Sequence, residues 1–310
     1  MINLKIKKFL LPLIALIALS LNLNIKSVPA TFSRFQNIQT GQILDLYSDL
    51  HKTNDFILHT DTCNNFLHLV THLNPENTLF IWELMENPNP KCSMFMNVSG
   101  MILKILFPRS FISADLRSFN FSLIYSMNKK LLEPRLFTDN PLFNINLTIK
   151  DVINEVLVKS SIIYENDPFA ESKLSKKTQE TLTRSINSYR EAVQKFLQDQ
   201  SSILNQNLFD YYNAFYLNSL ITDKNVTYLD IIFRIKFDKF YNEFTKLFIQ
   251  TLFEFEVIKN IFSSNKQLII VNAGVQHCEN IKEIIKKNNL EFKCVIDGNE
   301  KQILYQVYKR

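Results

Sequence analysis

The first half of the chain alternates short apolar runs with segments whose apolar residues recur at helical spacing. The runs at 43–48, 78–84 and 110–116 predict strands, and the second, TLFIWEL, is typical of a strand buried on both faces of a parallel sheet. Apolar side chains three and four residues apart predict helices over 61–73 and 93–106. In this β-α-β-α-β order, each helix connects two strands through a right-handed crossover, and such crossovers join parallel strands. The order therefore predicts a parallel sheet.

The middle of the chain shows only helical periodicity. Helices are predicted over 148–163 and around the apolar positions of 182–196. The longest series runs from Phe233 to Phe262 with a mean step close to the roughly 3.6 residues of an α-helix turn. It predicts one long helix whose aromatic stripe faces the core.

The C-terminal residues return to the alternating pattern of the first half. The run QLIIVN at 267–272 predicts a strand, 273–277 a turn and 278–289 a helix, and further strands are predicted at 292–296 and 303–308. The fold class is therefore α/β, with a mostly parallel sheet, flanking helices and a large helical insertion.

The predicted elements divide the chain into four parts. These are a signal peptide at 1–30, the N-terminal half of the α/β core at 31–147, the helical insertion at 148–262 and the C-terminal half of the core at 263–310. Whether the insertion is a separate domain or a cap on the sheet stays open.

The first 30 residues carry the pattern of an export signal. Lysines precede an apolar run from Phe9 to Leu21, and small residues stand at Val28 and Ala30, the positions that a signal peptidase reads. An uncleaved membrane anchor is the alternative, although the run is shorter than the roughly 20 residues that span a bilayer. We expect an exported protein, periplasmic or secreted, that contacts a membrane only through this segment if it is retained.

Charge outside this segment is balanced. Four of the 35 lysines and arginines lie in the first 30 residues, which have no acidic residue, so 31 basic and 30 acidic residues remain. This balance gives the protein no net positive potential that would attract nucleic acid or an anionic membrane. The expected partner is an unidentified small molecule or protein. The four glycines are too scattered to form a phosphate-binding loop, which excludes the P-loop and dinucleotide-binding classes.

The cysteines leave two interpretations open. Cys63, Cys92, Cys278 and Cys294 show no C-x-x-C spacing, so zinc-ribbon or thioredoxin-like chemistry is not expected. They are either buried free thiols or include one disulfide, within the 60–95 region or between the two C-terminal cysteines.

Polar residues follow the predicted strands at their carboxyl ends, where open parallel sheets bind ligands. The candidate site residues are His277, Glu83, Asp115, Arg117, Asp49 and His51. A histidine could transfer a proton or bind a divalent metal, and a carboxylate could act as a base or a metal ligand. An arginine could hold an anionic substrate group or a developing oxyanion.

These residues also have structural interpretations. Glu83 could form an ion pair with Arg117 or Arg109, and Asp115 and Arg117 could pair locally and cap the following helix. His277 could cap a helix at the strand–helix junction.

The other histidines carry weaker signals. If His51 has no functional role, we expect it to be a solvated loop residue. His68 and His72 have the i, i+4 spacing of a two-histidine metal site, but the glutamate of the metalloprotease motif is absent between them.

The C-terminal sequence QLIIVNAGVQHCENIKEII carries a G-x-x-H motif, Gly274 to His277, that opens a helix after a strand. It resembles the closing motif of the Tiki/TraB, ChaN-like and erythromycin-esterase-like superfamily. The resemblance implies an α/β core with helical insertions and a site lined by glutamate and histidine at strand ends. Members of the superfamily cleave peptides with a metal, hydrolyse esters or bind haem. The family's early G-x-x-H has no counterpart here, because Asp45 to His51 contains no glycine.

Two hypotheses for the function follow. The first is a hydrolase-like enzyme with His277 as acid, base or metal ligand, Glu83 and Asp115 as carboxylates and Arg117 as an anion clamp. It predicts that these side chains meet in one pocket. The second is a non-catalytic secreted or envelope interaction protein on a degenerate version of the same fold, which binds through the phenylalanine-striped helix and the insertion.

Overall fold

In the computed structural model of the 310-residue chain, the structure describes residues 29–49, 73–84, 94–118, 120–121, 124, 146–170, 172, 174–211, 239–288 and 290–299. The strands are β1 (Pro29–Asn37), β2 (Ile43–Asp49), β3 (Thr78–Trp82), β4 (Phe111–Ser113), β5 (Leu268–Gly274) and β6 (Phe292–Asn299). The helices are α1 (Met94–Leu106), α2 (Ile149–Lys159), α3 (Ser161–Tyr164), α4 (Lys176–Asp199), α5 (Ser201–Leu204), α6 (Leu252–Ser263) and α7 (Val275–Lys287). Helical residues 239–244 and a π-helical segment, Thr245–Thr251, precede α6.

The strands form one mixed sheet in the order β4-β3-β5-β2-β1-β6. The four strands from β4 to β2 run parallel to one another, and β1 is antiparallel to both β2 and β6. All five residues of β3 are buried, as its continuous apolar run predicts for a central parallel strand. The predicted α/β class, with a mostly parallel sheet and flanking helices, is confirmed.

Helices cover both faces of the sheet. On one face, here called the α1 face, Tyr47, Trp82 and Ile270 pack with Leu103 of α1. The helix approaches closely at Gly100, where an added Cβ would lie 2.8 Å from Trp82 Cδ1. The opposite face, called the α7 face, packs against the remaining helices. It carries alternate strand residues, including Leu44, Leu46, Ile81, Ile269 and Val271.

The segment predicted as one helix over 148–163 is two helices. A capping box between Thr148 and Asp151 begins α2, which ends at Lys159, and Ser160 is extended with ψ 117° before α3 begins. The buried carboxylate of Glu256 explains this break, because it accepts hydrogen bonds from the hydroxyls of Ser160 (2.7 Å) and Ser161 (3.2 Å). The prediction of a single helix was wrong because this long-range contact leaves no trace in local periodicity.

The phenylalanine stripe is a core face, as expected, but its helix is not uniform. Phe240, Phe244 and Phe248 are buried. In the π-helical segment the N–H of Leu252 bonds to the carbonyl of Leu247, five residues earlier. The wider turn shifts the following side chains by about one position, or roughly 100°. Phe255, Ile258 and Phe262 of the predicted series are buried, as expected, but at the π-helical segment Leu252 is buried where the regular spacing placed Thr251, which is half-buried.

Several sequence-based predictions lie outside the described residues. They include the leader up to residue 28, all but the last residue of the helix predicted at 61–73, the start of the phenylalanine series at 233–238 and the last strand at 303–308. Within the described ranges, no helix combines the length and apolar character needed to cross a bilayer. The sequence pattern did not predict β1, which begins at Pro29, just before the predicted cleavage point after Ala30.

Candidate functional site

The site lies between the carboxyl ends of β3 and β5, which are neighbours in the sheet. The helix that follows β3 is α1, which packs on one face, whereas α7, which follows β5, packs on the other. Connections that leave two adjacent parallel strands toward opposite faces open a crevice between the strand ends, and ligands of open α/β sheets bind there. The topology therefore singles out the residues that close β3 and β5.

Glu83 is held at this crevice by the backbone of β5. Its N–H donates to the carbonyl of Asn272 (2.9 Å), and its side chain, 9% exposed, accepts from the N–H of Gly274 through Oε2 (2.8 Å). Its Oε1 accepts from Arg117 Nη2 (3.0 Å). The carboxylate is therefore fixed by β5 on one side and by an arginine on the other.

Arg117 bridges two carboxylates. Its Nε and Nη2 donate to the two oxygens of Asp115 at 2.7 and 2.6 Å, and Nη2 also donates to Glu83. The Arg117 N–H bonds to Asp115 Oδ1 as well (3.0 Å). The predicted ion pair between Glu83 and Arg117 and the predicted local pairing of Asp115 with Arg117 are both confirmed. Asp115 is buried, with 2% of its side chain exposed.

His277 lies in the first turn of α7 and reaches the same carboxylate. The predicted turn at 273–277 was wrong, because β5 continues to Gly274 and α7 begins at Val275. The imidazole is 10% exposed and packs on the ring of Phe253, with centroids 4.5 Å apart. Its Nε2 lies 3.7 Å from Glu83 Oε1. Four of the predicted residues, His277, Glu83, Asp115 and Arg117, thus lie in one cluster.

Sequence reasoning missed the other partner of His277, which is Glu254 on α6. Glu254 Oε1 lies 3.3 Å from His277 Nδ1 and accepts from Asn280 Nδ2 at 2.6 Å. Glu254 is 5% exposed. The available signal was the sequence Phe253-Glu254-Phe255-Glu256, which places two carboxylates within the apolar stretch 252–258, because a buried carboxylate needs a polar partner.

The contacts assign the tautomer of His277. A carboxylate only accepts hydrogen bonds, so the contact with Glu254 requires a proton on Nδ1. The 3.7 Å separation from Glu83 is too long for a hydrogen bond, which leaves the Nε2 lone pair available to accept a proton. Among the described residues, the cluster brings together three carboxylates, one guanidinium and one imidazole.

Nucleophilic cysteine chemistry is not supported here. Cys278 and Cys294 are free thiols, so the alternative of a disulfide between them was wrong. Burial raises the pKa of Cys278, whose Sγ points to the carbonyl oxygens of Tyr47 and Ala273. Cys278 is therefore a neutral thiol at physiological pH. Cys63 and Cys92 lie outside the described residues.

The remaining predicted groups are not brought to the cluster by the described part of the chain. His51, like His68 and His72, lies outside it, and only the backbone of Asp49 is described, at the end of β2. Among the described residues, no group of three or more histidine, cysteine or acidic side chains has the spacing to hold a metal ion.

Comparison of the chain with models of known protein families finds no match, and comparisons with curated proteins and with solved structures find no similar chain. The resemblance to the Tiki/TraB and ChaN-like superfamily therefore rests on the C-terminal motif, and function is argued from the geometry of the site.

Proposed function

We propose that the chain is an exported hydrolase-like α/β enzyme in which His277 is the general acid and base. The observation that carries this proposal is the imidazole held between Glu254 and Glu83 at the crevice between β3 and β5. Glu254 fixes the tautomer and the ring orientation, as the acidic member of a catalytic triad does. Glu83 stabilises the imidazolium that forms when Nε2 takes a proton.

The nucleophile in this proposal is water. The hydrogen-bond partner of His277 among the described residues is the carboxylate of Glu254, and no serine or cysteine donates to its ring. His277 Nε2 accepts a proton from water, the resulting hydroxide attacks an ester or amide carbonyl, and the same proton is returned to the leaving group. Arg117 positions Glu83, since its Nε and Nη2 already donate to carboxylates.

Initial rates on p-nitrophenyl acetate and on a fluorescent casein test the proposal. We expect the wild type to exceed buffer on one of them, and the His277→Gln variant to lose about 100-fold or more of kcat/KM. Glu283→Gln is the matched control, because Glu283 lies on the same helix, is exposed and has Lys287 as its ion-pair partner among the described residues. Turnover that is equal in the wild type and in His277→Gln contradicts the proposal.

A second candidate is a non-catalytic interaction protein on the same fold. It is favoured by the ion pairs that Arg117 forms with both Glu83 and Asp115, which a structural role would also explain. The buried phenylalanines at 240, 244 and 248 are not available to a partner, so binding would use other surfaces. This candidate predicts no turnover of any probe by the wild type, and effects of cluster variants on stability alone.

We propose further that α2 to α6 form the helical insertion predicted over 148–262 and act as a cap. They follow β4 and precede β5 in the chain, and their apolar faces share one core with the α7 face of the sheet. Export is proposed from the N-terminal pattern. An intact-mass measurement on the exported protein tests it, and the expected N-terminus is Thr31.

A further inference from the structure

The Asn272 side chain is a buried amide without a partner. Asn272 is 1% exposed, and neither its Oδ1 nor its Nδ2 makes a hydrogen bond in the part of the chain that the structure describes. A primary amide carries two donors and an acceptor, and buried amides are almost always paired. Its burial without a partner therefore needs an explanation.

Asn272 lies at the carboxyl end of β5, in the same crevice as the His277 cluster but on the other face of the sheet. Its register neighbours are Tyr47 on β2 and Trp82 on β3. Both belong to the α1 face, as does Ile270, two residues earlier on β5, so alternation along the strand directs the amide to that face. The backbone carbonyl of Asn272 accepts from Glu83 N–H, which ties the two sides of the crevice together.

A purely structural role does not account for this amide. Leucine has nearly the same volume and would suit a position between two aromatic residues, whereas an unpaired amide there is unfavourable. The carboxyl edge of β5 is also where the topology predicts a ligand. A buried polar group that lacks an internal partner at such an edge is expected to have an external one.

We propose that Asn272 anchors a ligand in the crevice on the α1 face, and that the group it binds is an uncharged amide, such as a carboxamide or a peptide bond. Nδ2 donates to the ligand carbonyl and Oδ1 accepts from the ligand N–H, so two amides satisfy each other. Asp45 lies two residues before Tyr47 on β2 and therefore faces the same side of the sheet, and its carboxylate is already held by Arg34 at 2.7 and 2.6 Å, which favours an uncharged ligand group. The site is an assignment of binding and does not depend on hydrolysis.

A titration with acetamide, followed by NMR of the asparagine side-chain amides in the full chain, tests the site. The Asn272 signal is assigned by its loss in Asn272→Leu. We expect it to shift saturably, while the signal of Asn280, whose amide already bonds to Glu254 and Gln276, stays in place. The proposal is overturned if the Asn272 signal does not shift, or if both signals shift in proportion without saturation.

Thermal unfolding of the ligand-free protein provides the second readout. An unpaired amide predicts that Asn272→Leu raises Tm by a few degrees, whereas the matched Asn280→Leu lowers it by breaking the contact with Glu254. A lower Tm for Asn272→Leu would show that the amide has a partner in the free protein, such as a buried water, and would overturn the proposal. Acetamide binding without ester or casein turnover would retain this site and reject the proposed enzyme, and turnover without binding would do the reverse.

Discussion

At the residue scale, the geometry of Arg117 holds the carboxylates of the site in place. A guanidinium binds a carboxylate through two parallel hydrogen bonds, and Arg117 makes this contact with Asp115 while it also reaches Glu83. A lysine carries the same charge, but its compact ammonium cannot reproduce the planar set of hydrogen bonds that the guanidinium donates to three carboxylate oxygens. The shape of the side chain is therefore as important as its charge.

Arg117→Lys is expected to lower the free energy of unfolding by about 1–3 kcal/mol, because Asp115 and Glu83 are buried and would lose donors. Urea unfolding of the full chain measures the change. The control is Arg184→Lys on α4, whose guanidinium bonds to exposed groups and whose replacement should cost less than about 0.5 kcal/mol. Equal changes in the two variants would show that the two-pronged contact contributes little.

The sequence predicted part of this site and could not predict the rest. His277, Glu83, Asp115 and Arg117 follow strands that were predicted to be parallel, so their carboxyl ends could be expected to meet at one edge of the sheet. Glu254 comes from a helix that precedes β5, and its approach to His277 depends on how α6 packs against α7. Asn272 was read only as part of a strand, because a strand pattern does not reveal which buried amide lacks a partner.

At the scale of elements, a π-helical segment leads into α6, whose residues Phe253 and Glu254 contact His277 on α7. The wider turn of this segment leaves the Leu247 carbonyl with two donors, the N–H of Leu252 and the hydroxyl of Tyr189 at 3.0 Å. Burial raises the pKa of Tyr189, with the nearby Glu256 adding to the rise, so the phenol stays a donor at physiological pH. Helix α4 thus supports the irregular turn through one hydroxyl.

Tyr189→Phe is expected to cost about 1 kcal/mol of unfolding free energy, since it removes one buried hydrogen bond without creating a cavity. Tyr164→Phe is the matched control, because Tyr164 is 62% exposed and should change stability by less than about 0.5 kcal/mol. Chemical denaturation of both variants measures the difference. No loss in Tyr189→Phe would show that the turn does not depend on α4.

Periodicity located most elements but not their irregularities. The residues of β2, β3, α1, α4 and α7 carry their own apolar pattern, and each element was predicted from it. The break at Ser160 and the π-helical segment were not predictable, because each depends on contacts between residues far apart in the sequence. An apolar repeat indicates which side of a helix is buried on average. It does not reveal a single turn that contains one additional residue, as a π-helical turn does.

At the scale of the whole molecule, the account depends on three distant segments meeting at one crevice. Glu83 ends β3, His277 begins α7, and Glu254 lies on the last helix before β5. The strand order could not be read from the sequence, because β5 lies between β2 and β3 in the sheet although it follows β3 by nearly 200 residues in the chain. The position of β5 makes it a neighbour of β3, and the helices that follow these two strands pack on opposite faces, which is the topology in which ligand crevices form.

The most direct test of this account is a double-mutant cycle on kcat/KM for p-nitrophenyl acetate, with His277→Gln and Glu254→Gln made singly and together. If Glu254 acts through His277, its replacement lowers kcat/KM about tenfold or more in the wild type and has almost no further effect in the His277→Gln background. Equal effects of Glu254→Gln in both backgrounds, or a wild type no faster than the double variant, would contradict the account.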